Sequence, residues 1–532
     1  MKTVVIHLKV LLFALFLFLS GIASAEIYHS AHIKITEPSD WIRLQSLGLA
    51  LEEGVERTGD GLNMILNDHE LRQIRKTGIT AEVIQPDMES YFRSRLQAAA
   101  VDDFANGSMG GFYTYAEVQN KLKEYRRQYP EIISAPLTIG TSIEGRAIIA
   151  VKISDNADTE ETDEPEALYT ALHHAREPQS LMCLLYFMET ILKKYGKDPE
   201  ITNVIDNRQL WFVPVINPDG YVYNESTNPA GGGLWRKNRR RNPDGSYGVD
   251  LNRNYGYQWG IDDQGSSPLT MDDNFRGTGP FSEPETIAIR DFVKQRRFAV
   301  ALNYHSYSNL LLFPWSYVDD RTPDHRIFRD FAKTLTSGNQ YPFGNNKELL
   351  NYFSNGEADD WFYGDTSEKP AVFALTPEIG DFTDSFWPAP DRILPLAKEQ
   401  FSMNLALASF PGSYPIIHRF ADSEIEGDGD NYLEPGEKWR LTAVLRNLGF
   451  QSTDTELTVR LKSKSQFIAV ESDSADYRLL RPFKKARGSF TVAAASNAPT
   501  ARLHKLLLFI YSENRLLRKE TVHIFVNPPV DP

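Results

Sequence analysis

From Tyr113 to about Pro411, apolar runs of strand length alternate with longer amphipathic ones. They are Ala147–Ile153, Ala167–Leu172, Met182–Lys193, Leu210–Ile216, Ile287–Gln295, Phe298–Tyr304, Ala371–Leu375 and Pro395–Ala408. That mixture predicts an α/β fold of about 300 residues. Beyond Pro411 the pattern turns to strict alternation: Trp439, Leu441, Ala443 and Leu445, then Leu457, Val459 and Leu461, then Leu506, Leu508 and Ile510, then Val522, Ile524 and Val526. Strands without helical runs predict a β-sandwich. Ahead of both lies an α+β pattern, with alternation at His32-Ile33-Lys34-Ile35 and Ala81–Ile84 flanking a helix over Asp68–Lys76. The stretch Ala98–Gly111 carries acids, Asn106 and three glycines without apolar periodicity, so it reads as a linker and a candidate cleavage site. The expected division is 1–25, 26–100, 101–412 and 413–532.

The first segment changes the expected compartment. Lys2 precedes an apolar run from Val10 to Leu19 and the small-residue triplet Ala23-Ser24-Ala25, the pattern of an export signal cleaved after Ala25. A secreted or periplasmic protein is expected, and no later run approaches the ~20 apolar residues of a membrane-spanning helix. Export permits disulfides, yet Cys183 is the single cysteine and sits in an apolar stretch, which makes it a buried hydrophobe.

At 532 residues the chain is too long for one core. A net charge of -14 offers no footprint for nucleic acid, and the basic run Arg236–Arg241 is short.

Polar residues collect at the ends of the predicted strands, where open α/β sheets bind ligands. Leu172-His173-His174-Ala175-Arg176-Glu177 places a histidine and a glutamate three residues apart between a strand and a helix. Such a pair can converge on a metal, although a catalytic zinc site needs a third ligand and an open position. His305, in Asn303-Tyr304-His305-Ser306, ends another apolar strand and could supply that ligand; alone it would read as a structural histidine. Between them lies Gly248-Val249-Asp250-Leu251-Asn252-Arg253-Asn254, a polar run that packing does not explain. Tyr352 and Thr376-Pro377-Glu378-Ile379-Gly380 follow.

Taken in order and spacing from Phe112 to Gly380, this set resembles the zinc metallocarboxypeptidases of the pancreatic carboxypeptidase A and B type. Phe112-Tyr113-Thr114-Tyr115, Ile139-Gly140-Thr141-Ser142 and Val215-Ile216-Asn217-Pro218-Asp219-Gly220 strengthen the match. The resemblance implies a mixed-sheet zinc carboxypeptidase domain with one catalytic Zn2+ held by His174, Glu177 and His305. It also implies Asp250 as the carboxylate behind His174, Glu378 as general base and Arg236 as the oxyanion's partner. Asn252, Arg253 and Tyr352 would bind the substrate's terminal carboxylate, and Asp359 would occupy the pocket position that is acidic in B-type enzymes, favouring terminal Lys or Arg. Glu357 could reinforce that preference or be a solvated loop charge. His173 falls off register and reads as a neighbour in the sheet. Gly233 departs from the family, which has a further arginine there.

The expected partners are peptide or protein C-termini, and the expected state is a monomer. Residues 26–100 hold the place of the family's activation segment, against a permanent folding domain; His69-Glu70 within them reads as helix surface. Asp428-Gly429-Asp430-Asn431 with Glu434 and Glu437 could take calcium, but an acidic turn before a strand is preferred. The competing functions are a zinc amidohydrolase on cell-wall peptides or acyl amino acids, whose relatives usually alter the Asn252–Arg253 pair, and a non-catalytic binding relative, which would have lost a ligand or the base.

Overall fold

The computed structural model describes residues 27–51, 53–96 and 104–528. The export signal expected at 1–25 and most of the linker's first half lie outside them.

The first sheet, in order β2-β3-β1-β4, joins β1 (Tyr28–Lys34), β2 (Glu56–Arg57), β3 (Gly61–Asn67) and β4 (Ala81–Gln85). Helices Pro38–Gln45, Asp68–Lys76 and Met88–Leu96 accompany it. Its core of Ala31, Ile33, Leu44, Leu62, Leu66 and Ile74 is continuous with Leu312, Leu350 and Tyr352 of the next sheet's region. Glu70 corrects the surface reading of His69-Glu70: it is buried, and its carboxylate accepts from the Asn67 amide at 2.8 Å in a capping box.

The central sheet has eight strands in the order β11-β10-β12-β9-β7-β8-β6-β5. Its members are β5 (Leu137–Thr141), β6 (Ala147–Ile153), β7 (Glu166–Ala171), β8 (Gln209–Val213), β9 (Phe298–Tyr304), β10 (Leu310–Leu312), β11 (Phe343–Gly344) and β12 (Phe373–Glu378). The inner strands β8, β7, β9 and β12 run parallel, and β6 and β10 flank them antiparallel. Helices Pro178–Lys194 and Phe401–Ser409 cover one face. Helices Pro284–Lys294 and Ala358–Gly364 cover the other, around Trp361 and Ile289. A parallel sheet buried on both faces accounts for the near-continuous apolar character of β7 and β8. The predicted run Pro395–Ala408 resolves into two helices, Pro390–Glu399 and Phe401–Ser409, which break at Gln400.

Two further four-stranded antiparallel sheets follow, β13-β14-β18-β16 and β17-β15-β19-β20. They comprise β13 (Pro415–Glu426), β14 (Lys438–Asn447), β15 (Leu457–Ser463), β16 (Ile468–Ser472), β17 (Ser474–Tyr477), β18 (Lys485–Ala494), β19 (Arg502–Ser512) and β20 (Arg515–Val526). Their inward residues share one core, with Trp439, Leu441 and Phe490 facing Val459, Leu508 and Ile510. Phe450 and Leu448 reach back to the central core, and Arg446 pairs with Asp330 at 2.5 Å. Among the described residues no helix is long and apolar enough to cross a membrane.

Candidate active site and metal centre

Strand register brings the distant motifs to one edge. Ala171 of β7 pairs with Tyr304 of β9, so the two strands end level, and His305 bridges Glu378 at the end of β12. Glu378 is therefore the last residue of its strand, which extends past the predicted end at Leu375. Leu172 follows β7 in the left-handed region (φ 56°), a strained turn for a branched side chain that redirects the chain into His173-His174. Glu177 then occupies the N-cap position of the helix Pro178–Lys194, with Pro178 at its first position; its carboxylate makes no capping bond and instead accepts from the Ser306 amide at 3.2 Å.

The His174 Nδ1 atom lies 2.6 Å from Glu177 Oε1 and 3.1 Å from His305 Nδ1; His305 Nδ1 is 3.0 Å from Glu177 Oε2. All three side chains are essentially inaccessible. His174 Nε2 meets Asp250 Oδ1 at 3.1 Å, so with that nitrogen donating, Nδ1 presents a lone pair to its neighbours. The separations approach the edges of a zinc tetrahedron, about 3.3 Å for bonds of roughly 2.0 Å. Burial and Arg236 oppose a proton on His174, yet Glu177, Glu53 and Asp250 outweigh them and hold its pKa well above the ordinary histidine value. A site that draws positive charge this strongly, lined by nitrogen and carboxylate donors, fits a divalent ion.

A fourth donor was not foreseen. Glu53, from the loop between the helix Pro38–Gln45 and β2, is fully buried with Oε2 3.1 Å from His174 Nδ1. Its donor atom and those of His174, Glu177 and His305 all lie within 4.8 Å of one another. Burial raises the Glu53 carboxyl, but Arg236, His174 and Arg176 together hold it well below the usual range. Arg176 was also passed over in the sequence, although it stands between the two ligand positions; it is buried and pairs with Glu53 at 2.7 Å and Asp273 at 3.2 Å. Nothing local marked Glu53, because its partners lie more than a hundred residues away.

Of the remaining predicted residues, Asp250 and Arg236 adjoin this centre, and the others lie on the turn, strand and helix beyond it. Asp250 accepts from Arg236 at 3.1 and 2.7 Å and caps the short turn Leu251–Arg253 through the Asn252 amide at 2.9 Å. Arg253 is buried, 3.3 Å from Glu357, and the Asn252 carbonyl accepts from it at 2.8 Å. Glu357 is thus a buried partner of Arg253 rather than a solvated loop charge. The Asn252 side chain accepts from the Ala358 amide at 3.0 Å. Tyr352 is buried within the N-terminal sheet's core cluster. Asp359 lies at the start of the helix Ala358–Gly364, accepting from Asn303 and, at 2.7 Å, from Thr376. Burial pushes its carboxyl up to about 7, against the lowering effect of those two donors. His173 stays outside the donor set, stacked on His305 and 2.9 Å from the Tyr255 hydroxyl, and Cys183 is buried and free.

A sheet of this topology, ending in a buried His–Glu–His centre beside paired arginines, defines the class as a metallohydrolase. Residues 118–403 match the family model described as zinc carboxypeptidase, so the chain belongs to that family and is a zinc metallocarboxypeptidase, a peptide hydrolase. Similar proteins include mouse carboxypeptidase A1, 30% identical over 62% of this chain and 77% of the relative. Zinc carboxypeptidase A 1 of Anopheles gambiae is 27% identical over 69% and 85%. The crystal structure of carboxypeptidase A from Helicoverpa armigera shares the fold, with a TM-score of 0.61 at 23% identity over 73% of this chain and 99% of that one.

Proposed function

We propose that the protein removes single residues from the C-termini of peptides, with a preference for Lys or Arg, after export and after release of a prosegment formed by residues 26–100. The observation that carries this reading is the turn Asp250–Arg253. One end of it holds His174 through Asp250, and the other end presents a buried guanidinium three residues on. An exopeptidase needs a cation at a fixed distance from its metal to recognise a free carboxylate, and a guanidinium does so with paired donors. A rigid turn supplies that distance.

His174, Glu177 and His305 would hold the ion. Bound there, zinc supplies Lewis acidity toward the scissile carbonyl and lowers the pKa of its water toward ~7. Glu378 takes a proton from the attacking water and returns it to the leaving nitrogen, which requires reach to both. Arg236, fixed by Asp250, donates to the developing oxyanion, a contribution of roughly 3 to 4 kcal/mol for one such group. Asn252, Arg253 and Tyr352 orient the terminal carboxylate. Asp359 gives the side-chain pocket its acid.

The reading is tested by offering the processed enzyme matched peptides with free and amidated C-termini. Rates on the amide should fall at least ~100-fold, because a clamp built for a carboxylate leaves buried donors unpaired without one. Arg253→Ala should remove most of that discrimination. Equal hydrolysis of both peptides by the unaltered enzyme would contradict the proposal.

A further inference from the structure

Glu53 does more than sit near the centre. Its Oε2 faces the His174–Glu177–His305 donors, while its Oε1 is ion-paired with Arg236 and accepts from Arg176 at 2.7 Å. Two oxygens on one carbon, one toward the metal donors and one toward two guanidinium groups, reproduce the charge pattern a hydrated carbonyl presents during hydrolysis. We propose that Glu53 is a built-in, active-site-directed inhibitor: in the intact chain it is the fourth ligand to the metal and fills the place of the reacting carbonyl. This rests on the carboxypeptidase reading and names how the site is kept silent.

The loop is built to deliver that carboxylate. Gly54 lies at φ +66°, a left-handed conformation that glycine adopts without strain, and an added Cβ would stand 3.1 Å from the Tyr307 ring. Its amide donates to the Tyr307 carbonyl at 2.9 Å and its carbonyl accepts from the Tyr307 hydroxyl at 3.1 Å. On the other side, Leu49 and Leu51 anchor the loop in the N-terminal core. The unit around it is fastened across the cleft: Trp41 and Gln45 donate to the Asn351 carbonyl, each at 2.9 Å, next to Tyr352. At the far end Arg95 donates to the carbonyls of Thr383, Asp384 and Trp387. A tethered carboxylate needs little intrinsic affinity, since its effective concentration reaches millimolar or more.

A catalytic zinc site keeps one position open, whereas four protein ligands make a closed, structural-type site. The intact chain is then closed and the processed enzyme open, a difference readable without turnover. The experiment uses the full chain loaded with cobalt(II) in place of zinc, compared by visible absorption before and after cleavage ahead of residue 104 and displacement of the N-terminal unit. The same measurement is made on full-length Glu53→Gln, with the rate of metal loss to a chelator read in parallel. Displacement and the substitution should each change the cobalt spectrum. Glu53→Gln should also lose metal at least ~10-fold faster, by analogy with removal of groups that support metal ligands, and should hydrolyse peptides while still full length. If displacement leaves the spectrum unchanged, Glu53 is not a ligand and the proposal fails; that arm decides the matter even if the variant misfolds. Should the spectrum change while the processed enzyme hydrolyses no peptide, the ligand assignment stands and the carboxypeptidase reading fails instead.

Discussion

Asp250 ties His174 to Arg236: one carboxylate oxygen lies 3.1 Å from His174 Nε2, and the other accepts from the Arg236 guanidinium at 2.7 and 3.1 Å. Burial raises the Asp250 carboxyl, but Arg236 and His174 outweigh it and hold it well below the ordinary range. A single buried anion thus fixes the His174 imidazole and the Arg236 guanidinium together, the two groups to which the proposed function gives metal binding and oxyanion support.

Asp250→Asn should therefore weaken both. Metal affinity, measured by competition with a chelator, is expected to fall about 10- to 100-fold as the acceptor behind the His174 ring loses its negative charge. The fold should lose several kcal/mol, roughly 3 to 5, because Arg236 is left with a diminished buried counter-charge. Metal binding equal to that of the unaltered protein would show that Asp250 does not orient His174.

Glu378→Gln preserves shape at the end of β12, where the backbone pairs with His305. Zinc content per chain should stay at one, while kcat falls about 10²- to 10⁴-fold with the proton shuttle removed. Retained turnover would exclude Glu378 as the base.

Asp359 gives the pH dependence a sign. Its carboxyl, pushed by burial from the ordinary 3.8 to about 7, is neutral below that range and anionic above it. The ratio of kcat/KM for Lys-terminated over Leu-terminated peptides should rise as pH increases through 7. Asp359→Asn should flatten that rise and lower the ratio. The same raised value makes the folded chain bind a proton that the unfolded chain releases, so this group's contribution to stability declines as pH climbs from about 4 to 7. Denaturant midpoints across that window, compared with Asp359→Asn, check the second effect.

Removing the metal should expose the repulsion it offsets. Glu53, Glu177 and Asp250 all crowd His174, with Arg236 as partner to two of them. The zinc-loaded full chain should melt several degrees above the chelated one, since a ligand bound only by the native state stabilises by mass action. Identical melting temperatures would mean that the donors bind no ion.

Much of this architecture is legible along the chain. The apolar runs at 167–172, 210–216 and 298–304 mark β7, β8 and β9, because a parallel sheet covered on both faces needs residues apolar on both sides. Position after such runs makes His174, Glu177 and His305 candidates, since strand ends are where ligand groups gather, but it is the resemblance to the carboxypeptidase motifs that singles them out as a ligand set. The limits are also physical. Strands β13, β16, β17 and β18 carry half-exposed, mixed patterns whose alternation is diluted by polar residues facing water. Glu53 and Arg176 are joined across 123 positions by a contact that no local periodicity encodes. Glu357 read as loop charge because its acidity was visible and its burial against Arg253 was not.

The most direct test of the account is mass spectrometry of a defined peptide mixture exposed to the processed enzyme. Stepwise loss of single C-terminal residues, fastest from Lys- and Arg-ended peptides, stopped by chelation and restored by zinc, is the predicted result. Internal cleavage, or release that persists in the chelator, would contradict it.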